Sequence, residues 1–265
     1  MEKTSIYNLK NRILSHLTEN LHEHSKEWRT NSNTKYLIID EILTSDQANH
    51  IYQSLPHSGE KMRTTKFFLK SKKKTSIKLN DFDKSIENIF KVFQDREILE
   101  IISKITGIKN LEADNTLYAG GLTMMLKGYY LRPHIDNSHN FERTKYRRLN
   151  LLFYLNPNWK KEYGGNLNLW NSKVSDSKEI ISNFNRLVIM ETNKKSWHSV
   201  TEVKGSLPRF CLSIYLYTKE SPTNKEYYHV TSFTGIPEQP ILRLYSLLDN
   251  FVRQSISTVF NVGRK

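Results

Sequence analysis

Two short stretches decide how this chain is read: Pro133-His134-Ile135-Asp136-Asn137, and Ser196-Trp197-His198-Ser199 with Pro208-Arg209-Phe210 close behind. On an extended segment, side chains two apart point the same way, so His134 and Asp136 share a face. One more His, His198, completes a face of two imidazoles and one carboxylate. Such a set leaves open coordination positions and suits Fe(II).

By itself that pattern is weak, because the chain holds nine His and 27 acidic residues. Arg209 strengthens it. Eleven residues beyond His198 it opens the run Arg209-Phe-Cys-Leu-Ser-Ile-Tyr-Leu-Tyr217. Alternation there puts Arg209, Cys211, Ser213, Tyr215 and Tyr217 on one face and Phe210, Leu212, Ile214 and Leu216 on the other. An Arg inside such a strand needs an anion.

Outward from these stretches, 265 residues can bury one sizeable core with an extra helical layer. With 37% hydrophobic and 25% charged residues the composition is that of a globular protein, and no run approaches the roughly 18 apolar residues of a membrane span. The opening MEKTSIYNLKNRIL has no apolar core and no small-residue cleavage site, so a cytoplasmic location is the expectation. Cys211 is the single cysteine, which excludes an internal disulfide and a cysteine-based zinc cluster within one chain. A net charge of +13 favours anionic partners in general. Nucleic acid is not favoured among them, because many Lys sit among Asn, Ile and Ser as a Lys-rich background would place them.

In chain order, Ile6, Leu9, Ile13, Leu14, Leu17 and Leu21 predict an amphipathic helix over 5–28, whose His22 and His24 are too far apart around it to share a ligand. A strand over 36–39 and a helix capped at Thr44 follow. Residues 61–79 predict a hairpin with a basic tip, Lys70 to Lys74. Two helices then run to a C-cap at Gly107. From 111 the texture changes to closely spaced strands, at 111–118, 121–127, 129–136, 147–156, 166–171, 178–184, 186–191, 197–203 and 208–218. That predicts an α+β fold, mainly β: a double-stranded β-helix (jelly-roll) core with N-terminal helices and a C-terminal helix. Residues 1–110 would form a buttress of the same domain, 111–218 the catalytic core, and 219–265 a connection plus a helix over about 239–260. Its Ile241, Leu244, Tyr245, Leu248, Phe251 and Val259 are expected to pack on the domain.

The sequence resembles the Fe(II)/2-oxoglutarate-dependent dioxygenases, and within them the prolyl 4-hydroxylase-like branch, over about residues 120–218. The carriers are PHIDN (133–137), RRLNLLFYLNPNW (147–159), GGNLNLW (164–170), NRLVIM (185–190), WHSV (197–200) and PRFCLSIYLY (208–217). The resemblance implies that His134, Asp136 and His198 are the iron ligands and Arg209 the partner of the distal carboxylate of 2-oxoglutarate. Tyr154 and Ser213 match further positions that hydrogen-bond that carboxylate. It also implies O2 as oxidant, ascorbate as an optional reductant, and release of succinate and CO2 as an unactivated C–H is hydroxylated. Asp136 argues for hydroxylation over halogenation, since a halide needs the position a carboxylate occupies. The sequence departs from the branch where a Tyr commonly contacts the cosubstrate: here stand Met125 and Leu126, with Tyr129 and Tyr130 as candidate substitutes.

Substrate is read less directly. Tyr129, Tyr130, Arg132, His139, Arg143, Arg147 and Arg148 flank the motif, and such a rim would suit an anionic or sugar-like molecule. A small metabolite or saccharide intermediate is the first expectation and a peptidyl side chain the second, because fold is a poor guide to substrate. The rival is a non-catalytic jelly-roll module binding nucleic acid or a protein partner through its basic surface. Degenerate modules usually lose a ligand or the anion-binding Arg, and this chain keeps all four. A cupin would show a His-x-His spacing that is absent. Asn137 and Trp197, beside the ligands, are candidates to orient them. Oligomeric state is not legible.

Overall fold

The computed structural model describes residues 4–30, 34–67, 71–114 and 116–259. Five helices come early: α1 (Ile6–Glu19), α2 (Leu21–Thr30), α3 (Ser45–Gln53), α4 (Lys84–Val92) and α5 (Arg96–Thr106). Each helix from α3 to α5 starts where a short polar side chain accepts from a backbone N–H of the first turn: Thr44, Asp83 and Asp95 respectively. At Thr44 the bond is reciprocated by Gln47, a full capping box. α5 stops at Gly107, which takes the left-handed conformation (φ 74°) predicted for a C-cap. The single helix expected over 5–28 is broken at Asn20, whose side chain and backbone N–H both bond the His16 carbonyl.

Twelve strands form one curled antiparallel sheet: β1 (Tyr36–Ile39), β2 (Arg63–Phe67), β3 (Ser71–Ser76), β4 (Gly121–Met125), β5 (Leu131–Ile135), β6 (Tyr146–Tyr154), β7 (Leu167–Trp170), β8 (Ser177–Ile180), β9 (Arg186–Glu191), β10 (His198–Val200), β11 (Arg209–Thr218) and β12 (Ser232–Phe233). The path runs β1-β9-β6-β11-β4-β3-β5-β10-β7-β8, with β2 on β3 and β12 on β5. This is the jelly-roll, mainly β architecture. On its convex side, Phe153, Phe210, Leu212, Ile214 and Leu216 pack against Leu9, Ile13, Ile89, Phe93, Ile98 and Ile102 of the helices. Fully burying each such side chain stabilises the fold by roughly 1.5–3 kcal/mol. The concave side keeps the alternate residues of the same strands, and it is there that the polar groups gather.

Three expectations are corrected. Residues 111–114 and 116–118 form no strand; they are held by a bridge from Glu112 to Tyr217 and by Asp114 accepting from Thr116 and Tyr118. Lys72 to Lys74 are not a solvated tip: they belong to β3, which inserts between β4 and β5, while Lys70 lies outside the described residues. The last helix, α6 (Pro240–Val259), turns its apolar stripe outward. What faces the body is polar. Asn250 brackets the N–H and carbonyl of Phe233, Arg253 donates to the Thr231 carbonyl, and Gln254 accepts from Val230 N–H. The segment 228–235 offers unpaired backbone groups there, and donors and acceptors were needed more than apolar surface. Phe260 lies outside the described residues.

Candidate active site

β5 and β10 are paired with His134 directly opposite His198. Their rings lie 4.1 Å apart between centroids. Asp136, just past the end of β5, closes the group. His134 Nε2 is 3.7 Å from Asp136 Oδ1, and His198 Nε2 is 3.7 Å from Oδ2. One ligand atom from each of the three fits within 4.8 Å of the others, and all three residues are buried.

The tautomers follow from the backbone. His134 Nδ1 lies 2.9 Å from the Arg132 carbonyl and His198 Nδ1 lies 2.9 Å from the Ser196 carbonyl. A carbonyl only accepts, so each Nδ1 carries the proton and each Nε2 presents a lone pair. Two lone pairs and a carboxylate converging in a buried pocket, with no donor among them, form a cation site. Burial, and then the neighbouring His198, pull the His134 pKa down to about 3, which keeps the ring neutral as a ligand must be. Burial would raise the Asp136 carboxyl, but His198, Arg147 and His134, with a hydrogen bond from Tyr215, hold it below its ordinary value.

Behind Asp136 stands a group that sequence reasoning placed elsewhere. Arg147 was expected at the rim, yet it is fully buried. Its guanidinium stacks 3.7 Å from the Tyr215 ring centroid, lies 3.9 Å from Asp136 Oδ1 and donates to the Tyr217 hydroxyl. The Tyr215 hydroxyl donates to Asp136 Oδ2 at 3.0 Å. Burial, then Asp136, raise the Tyr215 pKa well above its ordinary value, so it stays a donor. The signal was present in the alternation of β11, which put Tyr215 and Tyr217 on the face of Arg209. Phe233 of β12 was missed: it lies opposite His134 in register and stacks on the imidazole at 5.3 Å.

Arg209, the first residue of β11, is buried. Its Nε donates to the Gly165 carbonyl at 3.0 Å, and its Nη2 to Ser182 Oγ at 3.3 Å. Gly165 can turn that carbonyl because its φ is +64°, and a Cβ on the preceding Gly164 would stand 1.9 Å from the Glu202 carbonyl oxygen. The backbone of this glycine pair therefore positions the guanidinium. Asn156, unremarked in the sequence, accepts from Phe210 N–H and donates to its carbonyl, fixing the strand entry. Every polar partner of Arg209 is neutral: among the described residues no carboxylate comes within ion-pairing distance. Beside it, with the guanidinium 4.8 Å over its ring, is Tyr154, whose buried hydroxyl has no hydrogen-bond partner. Burial pushes that hydroxyl's pKa well up, so it is a proton donor without an acceptor.

His134, Asp136, His198, Arg209, Tyr154 and Ser213 all line one cavity of ≈ 130 Å³. Ser213 donates to Asn150 Oδ1 at 3.0 Å while facing it. Met125 also lines it, 3.9 Å from Arg209 Nη1, whereas Tyr129 and Tyr130 do not: Tyr129 packs with Trp159, Val200 and Val203. The departure at Met125 is thus real, and neither tyrosine replaces the contact. Burial raises the Cys211 thiol to about 11, so it is inert packing. Arg132, His139, Arg143 and Arg148 line neither this cavity nor the cleft outside it. Asn137 reaches that outer cleft and bonds the His139 carbonyl; it is the Ser196 carbonyl, not the Trp197 side chain, that orients His198.

A jelly roll with this donor set, and a buried Arg that lacks an anion, defines a class: a 2-oxoglutarate-dependent non-haem iron dioxygenase. The sequence agrees, for residues 120–217 match the model of the 2OG-Fe(II) oxygenase superfamily. Among solved structures the chain is similar to a prolyl hydroxylase from Trichoplax adhaerens in complex with a hypoxia inducible factor peptide (19% identity, TM-score 0.59, 80% of this chain and 96% of that one). It is similar too to a prolyl 4-hydroxylase from Phytophthora capsici (16%, 0.57, 94% and 77%). HygX from Streptomyces hygroscopicus, with nickel, 2-oxoglutarate and hygromycin B bound, aligns at 11% identity and TM-score 0.50 over 77% of this chain and 95% of that one. At these identities the likeness is one of fold. No curated protein matches the sequence.

Proposed function

We propose that the chain hydroxylates an unactivated C–H of a small, hydroxylated, anionic molecule such as a saccharide intermediate. In this reading His134, Asp136 and His198 hold Fe(II), and Arg209 with Tyr154 and Ser213 holds the distal carboxylate of 2-oxoglutarate. The donor set fits the iron, and the orphaned Tyr154 hydroxyl beside a carboxylate-free guanidinium fits the carboxylate. The bound pair supplies the oxidising power, consuming O2 and releasing succinate and CO2. The protein's own part is to bind and orient. The Arg132 and Ser196 carbonyls lock the two imidazoles, Tyr215 and Arg147 keep Asp136 ionised and aimed, and the apolar surround keeps water out.

One observation carries the substrate class. The inner cavity, of ≈ 130 Å³, is taken up in this reading by the iron and 2-oxoglutarate, so the substrate sits beyond it. Through Lys73, Ala119 and Thr231, which line both, it adjoins an outer cleft of ≈ 800 Å³. That volume is of ligand size. The cleft is lined by Arg63, Lys73 and Arg253, by hydroxyls of Thr65, Thr116, Tyr228 and others, and by no acidic residue. Arg253 is paired with Asp249, and the other two cations together with the hydroxyls suit an anion rich in hydroxyl groups.

The first test is anaerobic. Fe(II) protein titrated with 2-oxoglutarate should develop a weak visible charge-transfer band that His134→Ala abolishes. A folded, metal-loaded wild type without the band would sink the enzyme reading. The second measures succinate release with phosphorylated or carboxylated sugars and polyols against peptides. Coupled turnover with peptides alone would overturn the substrate class while leaving the enzyme class standing.

A further inference from the structure

α6 carries its apolar side chains on the wrong side for a helix that packs on its own domain. Ile241 is 85% exposed, Phe251 73% and Val259 74%, and Leu244, Tyr245, Leu247, Leu248, Val252 and Ile256 are exposed with them. Together they present on the order of 1,000 Å² of apolar surface, beyond the 300–600 Å² of the largest patch on an ordinary monomer. The helix is nonetheless firmly seated, since Arg243, Asn250, Arg253 and Gln254 bond backbone groups of the body. It is therefore a fixed apolar face rather than a loose tail.

We infer that this face is the two-fold interface of a homodimer, in which α6 of one copy packs antiparallel against α6 of a second. The area is the first argument. One side of a standard protein interface is about 800 Å², which the exposed face of a single α6 supplies. The second argument is self-complementarity, which an isologous contact requires. Taken about residue 250, six of the nine exposed apolar positions pair with one another: Ile241 falls opposite Val259, Leu244 opposite Ile256, and Leu248 opposite Val252. An antiparallel pair centred there sets these six against one another, with Phe251 of both copies beside the axis, while Tyr245 and Leu247 fall opposite Ser255 and Arg253.

Charge is the third argument, and it decides against the main alternative. A helix lying on a membrane surface flanks its apolar face with Lys and Arg that reach the lipid headgroups. The two arginines of α6 are turned inward instead. Arg243 donates to the Val174 and Gly235 carbonyls, and Arg253 to the Thr231 carbonyl and to Asp249. The outward face is left without a cation, which also lets two strongly basic chains approach each other there.

The test is the mass of the full-length protein in solution, by light scattering at micromolar concentration. Wild type is expected at twice the chain mass of 31.3 kDa, and Leu248→Glu/Phe251→Glu at the chain mass with an unchanged circular dichroism spectrum. Both positions are exposed, so the fold does not need them. A second variant fixes the geometry: Ile241→Cys/Val259→Cys should give a covalent dimer on mild oxidation, the native Cys211 being buried and out of reach. A monomeric wild type overturns the inference, whether or not it binds anionic vesicles. So does a dimer that survives the two glutamates, or one that the paired cysteines fail to cross-link.

Discussion

Two buried guanidiniums stand on neighbouring strands, Arg209 lining the cavity and Arg147 behind Asp136, and they are provided for differently. Arg147 on β6 has a protein carboxylate at 3.9 Å, two tyrosine rings against it and a tyrosine hydroxyl as acceptor. Arg209 on β11 has a carbonyl, a serine hydroxyl and a thioether, all neutral. A charge taken from water costs several kcal/mol unless it is paired. Arg147 has its counter-charge within the chain, although its Nε and Nη1 make no hydrogen bond, and it is part of the fold. Arg209 has no such counter-charge among the described residues, and in the proposed function the carboxylate of 2-oxoglutarate supplies it.

That contrast makes opposite forecasts for the two residues. Arg209→Ala should weaken 2-oxoglutarate binding by about 3 kcal/mol, a hundredfold or more, because a carboxylate would then be buried unpaired. Iron binding and thermal stability should change little; calorimetric titration beside a melting curve reads both. Arg147→Met should do the reverse, lowering stability by about 3 kcal/mol through the loss of a buried partner of Asp136 while 2-oxoglutarate affinity stays within severalfold. Equal effects of the two variants on both readouts would erase the distinction.

Smaller changes sharpen it. Tyr215→Phe removes the donor to Asp136 and should weaken iron binding by about tenfold or more, read by competition with a chelator. Tyr154→Phe removes a hydroxyl that has no partner in the ligand-free protein. It should leave the melting temperature unchanged or slightly raised, yet weaken 2-oxoglutarate by about 1 kcal/mol. A last effect is on pH dependence. Burial, helped by Lys194 and His139, lowers His229 to about 4, below the ordinary His value near 6.5. The unfolded chain then binds the proton first, so stability is full above about pH 6.5 and falls as pH drops toward 4. His229→Asn should flatten that acid slope by about 2 kcal/mol at pH 5, measured by denaturant unfolding across the range.

Much of this was legible in the sequence, and for a definite reason. Period-two alternation along 209–217 separated a polar face from an apolar one, and Arg209, Cys211, Ser213 and Tyr215 line the cavity as that separation requires, while Tyr217, past the irregularity after Leu216, does not. The same rule paired His134 with Asp136. What alternation could not supply was which strands become neighbours. Phe233 reaches His134 because a two-residue strand from an apparent connection pairs with β5, and Lys73 reaches the cavity because β3 inserts between β4 and β5. Arg147 was misplaced for a related reason: near a strand end an arginine reads as solvent-facing unless the tyrosines of the adjacent strand are known to cover it. The outward stripe of α6 inverted a rule that holds when a helix meets an apolar surface, and here it met unpaired backbone.

The way α6 is fastened has a consequence for how the metal site can be observed. Asn250 grips both peptide groups of Phe233, and the ring of Phe233 lies flat on His134. From the outer surface to an iron ligand there are two side chains and no slack element between them. Bound iron would therefore report on α6: a substitution at Asn250, which touches none of the three ligands itself, should register as a shift in the ligand-field spectrum of the metal.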